Sequence, residues 1–191
     1  MITKYKNKII RDLAWCVYSP HLIDNNFNQI FSDKNLLFNL NKSEELLSNL
    51  DNNPSLLKDI AHSNNRLGKY FEKLVLFWFQ NQDDIKIIAS NKQVTDNNKT
   101  VGEFDLIIQQ SEKFYHIELA VKFYLGLHEN NNSWRNWIGP NAEDRFDIKL
   151  DKLLNKQIHL CDHPASKDIL SSLGIKTVEQ KIILKGYFFY S

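Results

Sequence analysis

Two consecutive stretches, GEFDLIIQQ at 102–110 and KFYHIELAVKFYLG at 113–126, alternate in the manner of β-strands but carry acidic residues. Successive side chains of a strand point to opposite faces of its sheet. One face of the predicted pair is therefore apolar and includes Phe104, Leu106, Ile108, Tyr115, Ile117, Leu119, Val121 and Phe123. The other face carries the charged set Glu103, Asp105, His116, Glu118 and Lys122. This pattern places carboxylates on one face of the sheet. If that face is buried, each carboxylate needs a hydrogen-bond donor or a cation beside it.

The spacing of the two strands predicts which acids meet. A hairpin loop of four residues, 110–113, would pair Gln109 with Phe114 and place Asp105 directly across from Glu118. Opposed residues have Cβ atoms about 4.5–5.5 Å apart, so one acid must be protonated or a cation must lie between them. Divalent ions such as Mg²⁺ take carboxylate oxygens. An odd loop length without a bulge would instead separate the two acids.

Lys122 lies on the same predicted face as the two acids. Carboxylates that hold a metal ion, together with a lysine near the reacting phosphate, are the groups that metal-assisted phosphodiester hydrolysis requires. The alternative interpretation is a solvent-facing sheet surface on which Asp105, Glu118 and Lys122 form an ordinary salt bridge. His116 shares this face and is interpreted as hydrogen-bonding support rather than as a metal ligand.

Helical periodicity surrounds the strands. RDLAWCVYS predicts a helix that ends at Ser19-Pro20, because proline disfavours helix in the residue before it. Short helices are predicted at 43–49 and 55–61, a long one at 63–82 and another at 142–160. Glu72 projects beside the apolar face of the long helix, so its carboxylate either reaches water at the core edge or points into a cavity with a cation.

Size and composition limit the overall organisation. A chain of 191 residues with 42% hydrophobic residues can build one core. We expect a helical N-terminal extension, 1–62, packed on a core domain, 63–191, as one compact unit. The C-terminal strand KIILKGYFFYS stops abruptly, as it would at a fragment boundary.

The sequence gives no sign of export or membrane insertion. Charged residues near the N-terminus interrupt the apolar run that a signal peptide requires. No segment approaches the roughly 18 apolar residues of a membrane span, so we expect a cytoplasmic protein. The 24 basic and 23 acidic residues leave a net charge of +1, which gives no global argument for nucleic acid. Any such partner must be inferred from a local surface.

The loop WRNWIGPN is the expected nucleic-acid contact. Trp134 and Trp137 could stack on bases while Arg135 and Asn136 contact phosphates. The alternative is an aromatic lid packed on the sheet.

Several stretches together resemble the bacterial DUF1853 family: RDLAW, RLGKYFEKL, GEFDLI, HIELAVKFYLG, WIGPN, DRFDIKLDKLLNKQ and KGYFFY. That family in turn resembles a divergent branch of the PD-(D/E)XK nuclease superfamily. The resemblance implies an α/β fold with a restriction-endonuclease-like core, in which helices flank a mixed central β-sheet. It also implies a nuclease or phosphodiesterase that acts on DNA with Mg²⁺ or Mn²⁺.

The same resemblance implies roles for individual residues. Glu72 would be the acid of the first core helix, Asp105 and Glu118 the metal-binding acids, and the main-chain carbonyl of Leu119 a further ligand. Gln157 resembles the glutamine found on the following helix in some branches. The superfamily's lysine position, two residues after the third-strand acid, is Ala120 here, and Lys122 lies on the same face two residues later. This departure leaves open a non-catalytic domain that binds nucleic acid, a protein or a small anionic ligand.

Overall fold

The computed structural model describes residues 2–23, 40–61, 66–127 and 133–190. Its helices are α1 (Lys8–Tyr18), α2 (Leu40–Asn52), α3 (Lys58–Ala61), α4 (Leu67–Gln80), α5 (Phe146–Lys152) and α6 (Pro164–Ser172). Its strands are β1 (Ile85–Asp96), β2 (Lys99–Gln110), β3 (Lys113–Gly126), β4 (Trp137–Ile138) and β5 (Glu179–Phe189). A π-helical turn, Leu153–Gln157, continues α5, and 3-10 segments lie at Ile2–Lys4, Pro54–Leu57, Trp134–Asn136, Pro140–Ala142 and Ile158–Asp162.

The strands form one mixed sheet with β3 at its centre. β1, β2 and β3 pair antiparallel in sequence order, and β4 adds two antiparallel residues at the end of β3. β5 runs parallel to β3 along Tyr115–Leu125. The predicted α/β architecture, a mixed central sheet flanked by helices, is confirmed at this level.

The apolar face of the sheet packs against the N-terminal helices and α4. Ile10 and Leu13 of α1, Leu47 of α2 and Trp78 of α4 lie in one core with the β2 and β3 residues of this face. The helices of 1–62 that the structure describes therefore share a hydrophobic core with the sheet.

The charged face of the sheet is covered by α5, the π turn, the following 3-10 segment and α6. Phe146, Leu150 and Leu153 pack there with Ala120 and Tyr124 of β3. This cover corrects the alternative of a solvent-facing salt-bridged surface. It arises because the helical segment after β3 is amphipathic and folds back on this face.

One residue of the predicted apolar face lies on the other side. Leu106 packs on the α4 side, but Phe104 packs with Ile107 and Cys161 and meets the His116 ring edge-on, with centroids 4.8 Å apart. Regular β2–β3 pairing ends at Leu106, so strict alternation across both strands fails at that point.

Most predicted elements are present with changed bounds. The first helix ends before Ser19 as expected, and the long helix is observed from Leu67. The helix predicted over 142–160 is instead a short α-helix, a π turn and a 3-10 turn. The wider π turn keeps Leu153 in the core and lets Gln157 reach the sheet. α6 and β4 were not predicted.

None of the helices within the described ranges is long and apolar enough to cross a membrane.

Gly186 of β5 provides a test of the β3–β5 pairing. It lies opposite Lys122 with φ of 150°, and a Cβ built there would fall 1.7 Å from the Lys122 carbonyl oxygen. Gly186→Ala should therefore lower the free energy of unfolding by about 1–3 kcal/mol or more. Urea denaturation measures this change. Gly68→Ala in α4 is the matched control, since its Cβ would meet nothing within 4 Å, and it should stabilise by up to about 1 kcal/mol. Equal effects of the two substitutions would contradict the observed pairing.

Candidate functional site

β2 and β3 pair in the predicted register. Gln109 lies opposite Phe114, as the hairpin spacing indicates. The pairing continues to Gln110 and Lys113, so the strands are one residue longer and the turn holds two residues rather than four. Since both loop lengths give the same register, the relation between the two acidic strands is unchanged.

Regular pairing ends at Leu106–Ile117, one position before Asp105 and Glu118. Continued by one residue, the register places these two acids across from each other. The main-chain N–H of Leu119 donates to Asp105 Oδ2 at 2.8 Å, so a side chain takes over where the main-chain ladder stops. The Asp105 carboxylate therefore lies where the two strands separate.

β1 is irregular at the same level. Asn91 lies across from Asp105 in the β1–β2 register, between two paired positions, and its backbone has φ of 48°. This left-handed conformation is sterically unfavourable for most residues and is adopted more readily by Asn. The Asn91 side chain accepts a hydrogen bond from Lys69 Nζ at 2.9 Å. Backbone irregularity thus occurs on both sides of Asp105.

A small cleft of about 60 Å³ opens beside Asp105 on the α4 side. Its polar walls are Lys69, Glu72, Lys73, Ser90, Asn91 and Asp105. Lys69 Nζ lies 2.6 Å from Glu72 Oε2 and 3.5 Å from Glu103 Oε1. Glu72 combines features of the two expected environments, since it lines the cleft beside a cation, Lys69, and its side chain is still 17% exposed. Glu103 shares the same ammonium group.

Glu118 is only 1% exposed, and both its carboxylate oxygens accept hydrogen bonds. His116 Nε2 donates to Oε1 at 3.0 Å, and Gln157 Nε2 donates to Oε2 at 2.9 Å. We assign the His116 proton to Nε2 because a carboxylate only accepts, which leaves Nδ1 to accept from the Cys161 thiol at 3.2 Å. These contacts fix the orientation of the Glu118 carboxylate, and they place His116 and Gln157 in supporting positions.

The Asp105 carboxyl group titrates abnormally. Burial and the neighbouring Glu118 carboxylate raise its pKa to about 7, and Glu72 adds to the rise. The Leu119 hydrogen bond and the Lys69 charge act in the opposite direction. Asp105 is therefore affected by the negative charge of Glu118 on β3 and of Glu72 on α4. The nearby positive charge of Lys69 does not offset these carboxylates fully.

Lys149 of α5 is a second cation close to this group. Its Nζ donates to Gln157 Oε1 at 3.0 Å, so Gln157 links Lys149 to Glu118. Burial lowers the pKa of Lys149, helped by the charges of Lys122 and Lys152, while Glu118 and Asp105 oppose the change.

The predicted catalytic lysine, Lys122, is engaged elsewhere. Its ammonium group donates to Asp144, which also accepts from the Tyr124 hydroxyl at 3.3 Å. Lys122 therefore makes its ion pair away from Asp105 and Glu118. Ala120 is 5% exposed and belongs to the same core cluster as Phe146.

The residues of the aromatic loop separate into two environments. Trp137 is 3% exposed and contacts Phe188 with ring centroids 4.4 Å apart, which corrects the expectation that it stacks on a base. Trp134 remains 44% exposed although one side meets Phe146 edge-on. Arg135 is exposed, with Nε 3.7 Å from an Asp147 oxygen, and Asn136 is partly buried. The lid interpretation holds for Trp137 and in part for Trp134, whose ring also stacks on Phe188 with centroids 6.0 Å apart. The contact interpretation stays a prediction for Trp134, Arg135 and Asn136.

The residues near Asp105 can be compared with the needs of a Mg²⁺ or Mn²⁺ ion. Within the described ranges no three or more His, Cys, Asp or Glu side chains are arranged to hold a metal. Mg²⁺ keeps several waters, however, and is often held by one or two carboxylates. Asp105 Oδ1 has no hydrogen-bond donor among the described residues, and the adjoining cleft has room for about two water molecules. The free oxygen of Asp105 therefore suits a hydrated ion of this class in the cleft, whereas Glu118 does not line the cleft and has both carboxylate oxygens hydrogen-bonded.

Sequence reasoning missed several residues that surround the predicted set, among them Lys69, Asn91 and Lys149. Lys69 is three residues before Glu72 on one helix, and this i,i+3 spacing was a usable signal. Asn91 depends on a local left-handed conformation, and Lys149 depends on the π turn that brings Gln157 to it. Neither of these has a sequence signal of comparable strength.

A family model described as "Domain of unknown function (DUF1853)" matches residues 11–191, nearly the whole chain. No curated protein and no solved structure matches the chain.

The raised pKa of Asp105 predicts a pH-dependent stability. Its folded pKa, about 7, lies above the usual aspartate value of about 3.9, so the folded state favours the proton. This contribution is complete below pH 3.9 and is lost as pH rises through about 7. In metal-free buffer, Asp105→Asn should therefore gain stability over wild type between pH 4 and 8, on the order of 2–4 kcal/mol at about 1.4 kcal/mol per pKa unit.

Urea unfolding at several pH values measures this difference. Asp96→Asn, in the exposed end of β1, is the matched control and should follow the wild-type profile. A constant difference between Asp105→Asn and wild type across the range would show that Asp105 does not titrate near neutrality.

Proposed function

The chain belongs to the DUF1853 family, and from the carboxylates around Asp105 we propose that it is a metal-dependent nuclease or phosphodiesterase of the PD-(D/E)XK type that acts on DNA. One observation carries the proposal. The Asp105 carboxylate, with its pKa raised by burial and by the Glu118 and Glu72 charges, lies beside a small cleft and has one oxygen without a donor among the described residues. This is the electrostatic environment that a divalent cation would stabilise.

Asp105 would hold the ion in the cleft, and Glu118, which does not line the cleft, would join it by exchanging one of its hydrogen bonds for the ion. When bound, Mg²⁺ or Mn²⁺ supplies Lewis acidity and lowers the pKa of a bound water. The hydrogen bonds from His116 and Gln157 hold the Glu118 carboxylate in one orientation next to the site. The Leu119 N–H does the same for Asp105 and leaves Oδ1 available.

Glu72 is suited to a role beside the metal-binding pair rather than within it. Its carboxylate is bonded to Lys69 and lines the same cleft as Asp105. In this position it can accept a hydrogen bond from a water in the cleft and orient it toward a phosphate.

DNA is proposed as the substrate from the local surface rather than from net charge. Trp134 offers an exposed ring, and Arg135 an exposed guanidinium group, on the loop before α5. A base could stack on the ring while the guanidinium group meets a phosphate.

A non-catalytic nuclease-fold domain that binds nucleic acid, a protein or a small anionic ligand is the second candidate function. It is favoured by the absence of the third-strand lysine. Ala120 occupies that position in the core, and Lys122 is paired with Asp144. A domain that has lost this lysine can keep its binding surface without turnover.

Isosteric substitutions of the two acids test the proposal. Wild type should bind Mn²⁺ by calorimetry and cleave fluorescent duplex DNA when Mn²⁺ is present, because its paired carboxylates hold the ion. Asp105→Asn and Glu118→Gln should each lower the cleavage rate by at least about 10²-fold. Glu112→Gln, in the exposed hairpin turn, is the matched control and should leave the rate unchanged. Cleavage that persists in both acid variants would refute the proposal, and DNA affinity without Mn²⁺ binding would favour the second candidate.

The aromatic loop allows a separate binding test. Trp134→Ala should weaken binding of a single-stranded oligonucleotide by about 5- to 100-fold, since base–aromatic stacking contributes about 1–3 kcal/mol. Fluorescence anisotropy measures the affinity. Phe189→Ala removes a comparably exposed ring from β5 and should have little effect. If both variants bind like wild type, this loop is not the contact surface.

A further inference from the structure

The position where the superfamily has its lysine cannot hold one in this fold. Ala120 lies beneath α5, in a core cluster with Phe146 and Leu150. A lysine there would place its ammonium group among apolar side chains, at a high desolvation cost. A cation for a phosphate in this site must therefore come from another element.

Four lysines have surroundings that connect them with the site: Lys69, Lys73, Lys122 and Lys149. Lys73 lines the cleft, but no acceptor among the described residues holds its ammonium group there. The ammonium group of Lys122 is paired with Asp144. Lys149 is largely buried and reaches Glu118 only through the Gln157 side chain. Neither residue lines the cleft beside Asp105.

Lys69 differs from Lys122 and Lys149 in position and exposure, and from Lys73 in the acceptors that hold its ammonium group. Its side chain is 50% exposed and lines the cleft together with Asp105. Three acceptors hold the ammonium group: Glu72 at 2.6 Å, Asn91 at 2.9 Å and Glu103 at 3.5 Å. Glu72 and Asn91 aim the group, while the longer contact to Glu103 is the one that an incoming anion can replace.

The geometry points to Lys69 as the catalytic lysine of this chain, whose ammonium group contacts a phosphate oxygen of the phosphodiester held beside Asp105. This inference rests on the proposed function and deepens it by assigning the phosphate subsite to the α4 side of the cleft. Binding replaces the Lys69–Glu103 contact by a contact to the phosphate oxygen.

Lys69 acts as a permanent cation in this role. Burial lowers its pKa, but the nearby Glu72, Glu103 and Asp105 carboxylates outweigh that effect and keep the pKa above its usual value. The ammonium group therefore keeps its proton and stabilises negative charge on the phosphate, so Lys69 takes no part in proton transfer.

Lys69→Gln, Lys69→Arg and Lys122→Gln provide a matched set. With saturating Mn²⁺ and fluorescent duplex DNA, Lys69→Gln should lower the cleavage rate by about 10²–10³-fold. Lys69→Arg should restore part of the rate because it keeps the charge, and Lys122→Gln should stay within about threefold of wild type. Calorimetry should show Mn²⁺ binding to Lys69→Gln that is as tight as in wild type or tighter, since a positive charge has been removed beside the carboxylates.

A second readout does not depend on turnover. In metal-free buffer, Lys69→Gln should bind the duplex more weakly and reduce the slope of log affinity against log salt by about one, as the loss of one phosphate contact predicts. Lys122→Gln should keep the wild-type slope. An unchanged melting temperature for Lys69→Gln is expected from its half-exposed side chain and separates these effects from misfolding.

The outcomes distinguish the assignment of Lys69 from the proposed function. If wild type and Lys69→Gln cleave DNA equally, or if Lys122→Gln loses as much activity as Lys69→Gln, the assignment of Lys69 is wrong while the proposed function stands. If wild type neither binds Mn²⁺ nor cleaves DNA, the proposed function and the assignment fail together. Weakened Mn²⁺ binding and a lowered melting temperature in Lys69→Gln would assign Lys69 a structural role instead.

Discussion

The hydrogen bond from the Leu119 N–H to Asp105 is the contact on which the site depends. A buried carboxylate without such a partner is unfavourable by several kcal/mol. The regular β2–β3 ladder ends at Leu106. The Leu119 N–H therefore donates to the Asp105 carboxylate instead of to a ladder carbonyl. The strand separation makes room for the acid, and the acid satisfies the donor that the separation exposes. Loss of either would disturb the other.

The sequence predicts the part of this arrangement that depends on local rules. Alternation sets which residues share a face, and the short hairpin loop sets the register, so the Gln109–Phe114 pair follows without tertiary information. The regular pairing ends before Asp105, whose side chain lines the α4-side cleft that Glu118 does not reach. The apolar face of the long helix likewise predicts the packing of α4. The position of Glu72 beside that apolar face is what marks it in the sequence as a candidate site residue.

Tertiary packing decides the rest. The helices after β3 cover the charged face, and this cover buries Glu118 and turns Ala120 into a core residue. Nothing in the β3 pattern indicates such a cover, since an exposed sheet face would show the same alternation. Gln157 was singled out by resemblance, but its contact with Glu118 requires a π turn, which breaks the regular helical period. Phe104 changes face where β2 leaves β3, which a count of alternating residues does not detect.

The charge balance of the site connects its pH behaviour with the proposed metal. Asp105, Glu118 and Glu72 lie within electrostatic range of one another, and Lys69 offsets only part of their charge. A proton on Asp105 relieves the excess, and so would a divalent cation at the same carboxylate. The two compete, so metal affinity should fall as pH drops below about 7, and metal binding should release a proton. Lys69 contacts Glu72 rather than Asp105, so its charge can serve the phosphate while the Asp105 carboxylate serves the metal.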